Sequence, residues 1–84
     1  MIEAGKSVEV RAAMSGVFYR KPGPDEPAYV EVGDQVKKKQ VLALLETMKV
    51  FQKVKSPAAG TIIEIVAENE KALKDGDLMF VIRA

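Results

Sequence analysis

Residues 41–55 read VLALLETMKVFQKVK and place one lysine, Lys49, between two apolar runs of similar length. Both runs are rich in β-branched and large apolar residues, which favour strands. A tight hairpin normally turns on Asn-Gly or Asp-Gly, pairs that tolerate positive φ, but here the turn falls on Met48 and Lys49. We therefore predict a β-hairpin whose two turn residues are present for a reason other than their ability to form the turn. A lysine displayed there is a candidate for covalent modification.

The composition describes one small domain and limits its chemistry. With 84 residues, 48% hydrophobic content and 30% charged residues, the chain buries about 60–65% of its unfolded surface, which leaves little room for a substrate cleft. Histidine and cysteine are absent, which removes the commonest general base, the thiolate nucleophile and the usual zinc ligands. The sequence thus lacks the usual means of independent catalysis, and we expect no metal site.

Charge and hydropathy exclude two further classes of protein. No stretch approaches the roughly 20 apolar residues of a membrane span, and residues 1–6 lack the long apolar run of a signal peptide. We expect a soluble protein of the cytoplasm, or of the plastid stroma in a plant. A net charge of +1 argues against nucleic-acid binding. The one basic run, Lys37-Lys38-Lys39, is interpreted either as a solvated loop or as a contact for an acidic partner surface.

An internal repeat divides the chain into two halves. Residues 12–19 resemble residues 56–63 at an offset of 44, and residues 36–45 resemble residues 73–82 at an offset of 37. The first half therefore holds about seven extra residues, which fall in the proline-rich segment 21–28. Proline fixes φ and removes a backbone donor, so this segment is predicted to protrude as a stiff loop. It is either an incidental long turn or a functional finger.

Short strands and frequent turns predict an all-β sandwich or flattened barrel. Alternation predicts inward-facing side chains for Val8 and Val10, for Val30 and Val32, and for Ile63 and Ile65. Residues 68–74 are predicted as a turn leading into a short strand, because their repeat partner, residues 33–36, resembles a loop. The other predicted strands cover residues 7–11, 16–20, 28–32, 41–46, 50–55, 60–67 and 78–83.

Four motifs together resemble the biotinyl domain of a biotin carboxyl carrier protein of the acetyl-CoA carboxylase type, over about residues 8–82. These motifs are VGDQV at 32–36, ETMKV at 46–50, SPAAG at 56–60 and DGDL at 75–78. The attachment tetrapeptide of that family is usually Ala-Met-Lys-Met, from which Thr47 and Val50 depart. The related lipoyl domains typically carry Asp-Lys-Ala there, so Met48 favours biotin.

The resemblance implies a flattened barrel of two quasi-symmetric four-stranded antiparallel sheets, with biotin attached covalently to Lys49. It implies that Thr47, Met48 and Val50 are recognised by the ligase. Met48 could instead fill a gap beside the strands, and Glu46 could be a solvated strand residue or a ligase contact. The insertion falls where the family has a protruding thumb that can hold the cofactor, which makes candidates of Lys21, Pro22, Gly23, Pro24, Asp25, Glu26 and Pro27.

The implied partners are a biotin protein ligase, a biotin carboxylase that uses ATP and bicarbonate, and a carboxyltransferase that transfers the carboxyl group to an acyl-CoA. The domain itself would be a non-catalytic, monomeric carrier in acetyl-CoA carboxylase, which supplies malonyl-CoA for fatty acid synthesis. Three alternatives stay open: another biotin-dependent acyl-CoA or pyruvate carboxylase, a lipoyl carrier of a 2-oxo acid dehydrogenase, and an unmodified interaction module.

We expect residues 1–7 to form a tail or linker remnant and residues 8–84 to form the carrier domain. A chain that begins this close to its folded domain is expected to be a piece of a longer protein.

Overall fold

The computed structural model describes residues 6–84, which form two four-stranded antiparallel sheets and no helix. Strand order is β1-β8-β6-β3 in one sheet and β5-β4-β2-β7 in the other. This confirms the predicted all-β fold and its two sheets. Within the described residues, no helix has the length and apolar character needed to cross a membrane. The strands are β1 (Ser7–Arg11), β2 (Gly16–Tyr19), β3 (Gln35–Val36), β4 (Val41–Thr47), β5 (Val50–Lys55), β6 (Gly60–Ile65), β7 (Lys71–Leu73) and β8 (Leu78–Arg83).

The core lies between the two sheets, where each sheet contributes apolar side chains from its inner face. Phe18 of β2 and Phe80 of β8 are fully buried, and their ring centroids lie 5.8 Å apart at an interplanar angle of 56°. Tilted aromatic pairs of this kind add about 0.5–1.5 kcal/mol to the stabilisation from buried area. Leu42, Ile62 and Ile82 complete the centre of this core.

The two sheets are related by the offsets that the sequence repeat predicts. Residues shifted by 44 or 37 positions map β1 onto β5, β2 onto β6, β4 onto β8 and β3 onto β7. The hydrogen bond from the Lys39 N–H to the Ser56 carbonyl recurs as the bond from the Gly76 N–H to the Ala12 carbonyl, and both are 2.8 Å long. The fold therefore has a quasi-two-fold relation between its halves.

Two β-bulges explain why two consecutive residues are buried in each central strand. The β4–β5 pairing shifts register between Val41 and Ala43, so Leu42 is the extra residue and both Leu42 and Ala43 are buried. At the equivalent place in β8, Met79 and Phe80 are both buried, where the β1–β8 register also shifts. In each of these two strands, the bulge thus directs two consecutive side chains into the core.

The predicted strand over residues 28–32 is wrong, because this segment joins neither sheet. Val30 is buried, but Val32 is 60% exposed. The Glu31 N–H donates to the Asp34 side chain rather than to a neighbouring strand, and the Asp34 N–H donates back to the Glu31 carbonyl. This local turn replaces the alternating pattern. The strand begins only at Gln35, inside the segment that resembled a loop.

The predicted inward face of β6 is also wrong at one position. A register shift between Ile62 and Glu64 leaves Ile63 without a partner in β8, and Ile63 is 36% exposed while Ile62 is fully buried. Beyond the bulge, Ile65 packs against the core. The remaining predicted strands lie within two residues of the observed bounds, and β7 confirms the short strand predicted after the turn at residues 68–70.

The described chain begins and ends side by side. Ser7, which the sequence assigns to the tail, pairs with Arg83 as the first residue of β1. The Ala84 N–H donates to the Lys6 carbonyl at 2.9 Å. Residues 1–5 of the expected tail lie outside the described residues.

Gly16 and Gly60 occupy equivalent positions where two backbones approach too closely for a side chain. A Cβ on Gly16 would lie 2.7 Å from the Glu46 carbonyl oxygen, and one on Gly60 would meet the Arg83 carbonyl. We predict that Gly60→Ala lowers the free energy of unfolding by about 1–3 kcal/mol, since backbone must shift to admit the methyl group. Urea unfolding measures this change.

Gly23→Ala is the matched control, because its Cβ would meet only the Glu26 Cγ, at an ordinary 3.6 Å. Its effect should stay within about 0.5 kcal/mol. Equal stability of the Gly60 and Gly23 variants would contradict the close approach.

Candidate functional site

Met48 and Lys49 form a two-residue loop between β4 and β5. Thr47 pairs with Val50, and the two loop residues have φ values of 52° and 65°. Positive φ at both central positions is the mark of a type I′ turn, which suits the twist of a hairpin but favours glycine and asparagine. For other L-residues the left-handed conformation costs about 1–2 kcal/mol each. The strands on either side hold this strained tip in place.

The hairpin tip presents its side chains to solvent. Met48 is 92% exposed and Val50 is 54% exposed, whereas Lys49 is exposed and takes part in no ion pair among residues 6–84. The interpretation of Met48 as a gap filler is therefore wrong, because its side chain has almost no packing contacts. An apolar, accessible surface beside a free amine suits recognition by another protein.

We call residues 21–27 the thumb. Part of this thumb covers a cavity on the outer face of the β5-β4-β2-β7 sheet. Residues 21–24 line one side of this cavity, which has a volume of about 370 Å³. Asp25, Glu26 and Pro27 are exposed and do not line it. Phe51, two residues after Lys49, forms part of the wall, so the cavity lies along the same strand as the hairpin tip. The other lining residues are Tyr19, Leu44, Asn69 and Glu70.

Arg20 holds both ends of the thumb. Its backbone N–H donates to the Asn69 side chain at 2.8 Å, and its carbonyl accepts the Tyr29 N–H at 2.9 Å. Its guanidinium donates to the Val30 carbonyl at 3.1 Å and pairs with Glu31 at 2.8 Å. The residues before and after the thumb are thereby fixed to each other, which sets where the loop leaves the sheet.

A tyrosine and a glutamate are joined beneath the thumb. The Tyr19 hydroxyl donates to Glu46 Oε1 at 3.0 Å, and the Tyr19 ring packs at 54° against Phe51 with centroids 5.8 Å apart. The hydrogen bond to the Glu46 carboxylate raises the pKa of Tyr19, and burial and the negative charges of Glu46 and Glu70 raise it further. Glu46 is therefore bonded within the sheet rather than simply solvated.

The structure brings together some of the residues singled out by sequence and adds others. Lys49 and Met48 share the tip, and Lys21 to Pro24 face the cavity. Sequence reasoning missed Tyr19, Phe51 and Asn69. The pairing register of β2, β4 and β5 could have identified Tyr19 and Phe51, because it places them on either side of β4 on the same outer face.

The hydrogen bond between Tyr19 and Glu46 predicts a measurable titration. Glu46→Gln should lower the pKa of Tyr19 toward about 10, the ordinary value, because the anionic acceptor is lost. Tyr29→Phe in both proteins leaves Tyr19 as the one tyrosine, so its ionisation can be followed in the tyrosinate ultraviolet band. An unchanged pKa after Glu46→Gln would contradict the assigned cause.

Linkage gives this titration a consequence for stability. The folded pKa of Tyr19 lies above that of the unfolded chain, so its contribution to the free energy of unfolding is fully present below about pH 10. That contribution is lost as the pH rises through the folded value. The free energy of unfolding, measured below and above pH 10, should fall more steeply with pH in the wild-type protein than in the Glu46→Gln variant.

Solved structures share this fold. A crystal structure of the Kluyveromyces lactis urea carboxylase superposes with a TM-score of 0.76 over 92% of this chain and 6% of that chain, at 23% sequence identity. At this level of identity the likeness establishes the fold.

Curated relatives are much closer in sequence. The biotin carboxyl carrier protein of acetyl-CoA carboxylase from Glycine max, named as chloroplastic, is 45% identical over 74 residues, which are 88% of this chain and 28% of that protein. The protein of the same function from Streptococcus pyogenes is 43% identical over 67 residues, which are 80% of this chain and 40% of the relative. The chain thus spans less than half the length of these relatives. The family model described as "Biotin-requiring enzyme" matches residues 8–82, and the chain therefore belongs to that family.

Proposed function

We propose that Lys49 is the site of covalent biotin attachment and that this domain carries the cofactor between active sites. The observation that carries this proposal is the hairpin tip, where a strained two-residue turn displays an exposed methionine and a lysine that forms no ion pair with any residue from 6 to 84. A fold that needed only to turn here would use glycine or asparagine. Retaining Met48 and Lys49 at this cost points to a function at the tip.

The chain around Lys49 fits such a group. The amine is accessible, so a biotin protein ligase can acylate it without unfolding the hairpin. Thr47, Met48 and Val50 are the side chains that this ligase would meet first, and Met48 offers it the most apolar surface. Acylation would convert the charged ammonium into a neutral amide and would remove a positive charge from the tip.

When attached, biotin supplies the chemistry, because a nitrogen of its ureido ring accepts and releases a carboxyl group. The domain supplies delivery. A tether replaces a dilute encounter by an effective local concentration that is commonly millimolar for short flexible linkers. The absence of histidine and cysteine from the sequence agrees with a carrier that does no catalysis of its own.

The thumb is a proposed resting place for the cofactor ring. The cavity beneath residues 21–24 combines aromatic walls from Tyr19 and Phe51 with polar groups from Asn69 and Glu70. A flat bicyclic ring with amide-like edges suits that combination. We confine this role to residues 21–24, because Asp25, Glu26 and Pro27 are exposed and do not line the cavity.

The relatives suggest which enzyme the carrier serves. They are named as carrier proteins of acetyl-CoA carboxylase, so we assign the domain to that enzyme, with biotin carboxylase and carboxyltransferase as partners and with the domain itself as a monomer. Other biotin-dependent carboxylases are the second candidate, because the urea carboxylase shares the fold. A lipoyl carrier would not explain Met48 at the tip, and an unmodified interaction module would give no role to the exposed amine of Lys49 beside it.

Modification of Lys49 gives the direct test. Incubation with biotin, ATP and a biotin protein ligase should add one biotin amide to the intact mass, and peptide mapping should place it on Lys49. Lys49→Arg should abolish the gain, because a guanidinium is too weak a nucleophile at neutral pH. Lipoylation by a lipoate ligase instead, or no gain from either ligase, would contradict the proposal.

Lys39→Arg is the matched control for this experiment. Lys39 is also an exposed lysine in a tight turn, with a φ of 74° close to that of Lys49. It lacks the hairpin tip and the neighbouring methionine, so its substitution should leave biotinylation unchanged. Loss of modification in the Lys39 variant would show that the ligase modifies or requires Lys39 and would contradict the assignment to Lys49.

The resting place under the thumb can be tested by nuclear magnetic resonance. Attachment of biotin should shift the backbone amide signals of Gly23, Asn69 and Glu70, which line the cavity. The amide of Ala13, in a different surface groove, serves as the control and should not move. Shifts confined to Met48, Lys49 and Val50 would mean that the ring stays in solvent.

A further inference from the structure

Five exposed lysines form a continuous basic stripe that the carrier function leaves unexplained. We define the basic stripe as Lys37, Lys38, Lys39, Lys53 and Lys55, all of which are exposed. Among residues 6–84, none of these lysines lies within ion-pair distance of a carboxylate, since the ion pairs there involve Arg11 and Arg20. The stripe therefore presents uncompensated positive charge.

The stripe runs along the hairpin that carries Lys49. The Lys39 N–H donates to the Ser56 carbonyl at 2.8 Å, so the lysine turn abuts the end of β5. Lys53 and Lys55 alternate along β5 with Phe51, which lines the cavity beneath the thumb. The basic stripe thus extends from the cavity wall at Phe51 to the opposite end of the hairpin at Lys55, about 13 Å away at the usual rise of a strand.

The quasi-two-fold relation supplies an internal comparison for this charge. The equivalent positions in the other half hold two positive and two negative residues, so their formal charges sum to zero. Arg11 pairs with Glu9 at 2.8 Å and also donates to the Gly76 carbonyl at 2.9 Å. The equivalents of the stripe, in order, are Lys74, Asp75, Gly76, Glu9 and Arg11.

The fold does not require lysine in this turn. The Gln40 N–H donates to the Lys37 carbonyl at 3.0 Å, and the Asp77 N–H donates to the Lys74 carbonyl at 2.9 Å, so both halves make the same turn. The left-handed position is filled by glycine in one half, with a φ of 93° at Gly76, and by Lys39 in the other. Lysine is the costlier choice there, and clustering three lysines adds repulsion.

We propose that the basic stripe docks the domain onto an acidic surface of the enzyme that carboxylates the tethered biotin. This inference rests on the proposed function. A carrier must bind and leave that enzyme in every cycle, and attraction between charged surfaces speeds encounter without the slow release of a large apolar interface. The basic stripe lies along the hairpin and does not include its tip, so docking through the stripe leaves Lys49 and its attached biotin free to enter an active site.

The test uses the biotinylated domain as the only source of biotin for a biotin carboxylase, with ATP and bicarbonate, and follows ADP formation. The variant Lys38→Gln, Lys53→Gln, Lys55→Gln should lower kcat/KM about tenfold at 25 mM NaCl, a modest case of electrostatic steering, and should leave kcat unchanged. The difference should shrink toward 300 mM NaCl, because the Debye length falls to below about 8 Å.

The control variant Lys6→Gln, Lys71→Gln, Lys74→Gln removes the same charge from exposed lysines outside the stripe and should retain the wild-type kcat/KM. Equal losses in the two triple variants would overturn the proposal, because net charge alone would then account for them. So would an unchanged kcat/KM combined with stripe-dependent binding to duplex DNA or to phosphatidylserine vesicles, which would assign the stripe to those polyanions.

Intact mass, measured before the assay, separates failure of this inference from failure of the proposed function. All three proteins should carry one biotin, and urea unfolding should give similar stabilities since the substituted side chains are exposed. Absence of biotin on the wild-type domain would refute the carrier function itself. Full biotinylation with the same kcat/KM at every salt concentration in all three proteins would refute only the docking role.

Discussion

The antiparallel ladder between β4 and β5 is the constraint on which the rest of the structure depends. It closes in two residues, and the pairing of Thr47 with Val50 forces Met48 and Lys49 into the left-handed region. The same ladder brings Glu46 and Phe51 opposite each other on the outer face, where they meet Tyr19. The displayed lysine and the cavity wall are therefore two products of one strand pairing.

The quasi-two-fold relation shows which features belong to the scaffold and which belong to its use. Bulges, glycine contacts and turn hydrogen bonds recur in both halves, so they build the sandwich. The thumb, the aromatic cavity and the cluster of lysines that forms the basic stripe have no counterpart at the symmetry-related positions. These three departures from the internal symmetry are the surfaces that we propose to face other molecules, and they can be seen without comparison with another protein.

Sequence predicted the features that depend on local pattern or on the repeat. The hairpin followed from two apolar runs around Lys49, and the insertion followed from the difference between offsets of 44 and 37. Prediction failed where a single residue reverses which side chains of a segment face the core. Ile63 faces outward because a bulge follows Ile62, and Val32 faces outward because Asp34 captures the Glu31 N–H.

The cavity was out of reach for a different reason. Tyr19, Phe51 and Asn69 are separated in sequence by up to 50 positions, and only the strand register and the path of the thumb bring them together. Composition suggested that so small a domain has no enclosed pocket, and the cavity agrees, since it is formed by a loop laid over the outside of a sheet rather than by a gap in the core.

For the proposed biotin carrier, the shortness of the hairpin loop also sets the mechanics of transport. A two-residue turn pinned by Thr47 and Val50 has no slack, so the Lys49 Cα moves only as far as the sandwich moves. All local reach of a group attached to Lys49 would come from the torsions of the lysine side chain and of that group. Travel beyond that radius would require translation of the entire domain, so in the proposed carrier the distance covered between two active sites would depend on how the domain is attached to its partners.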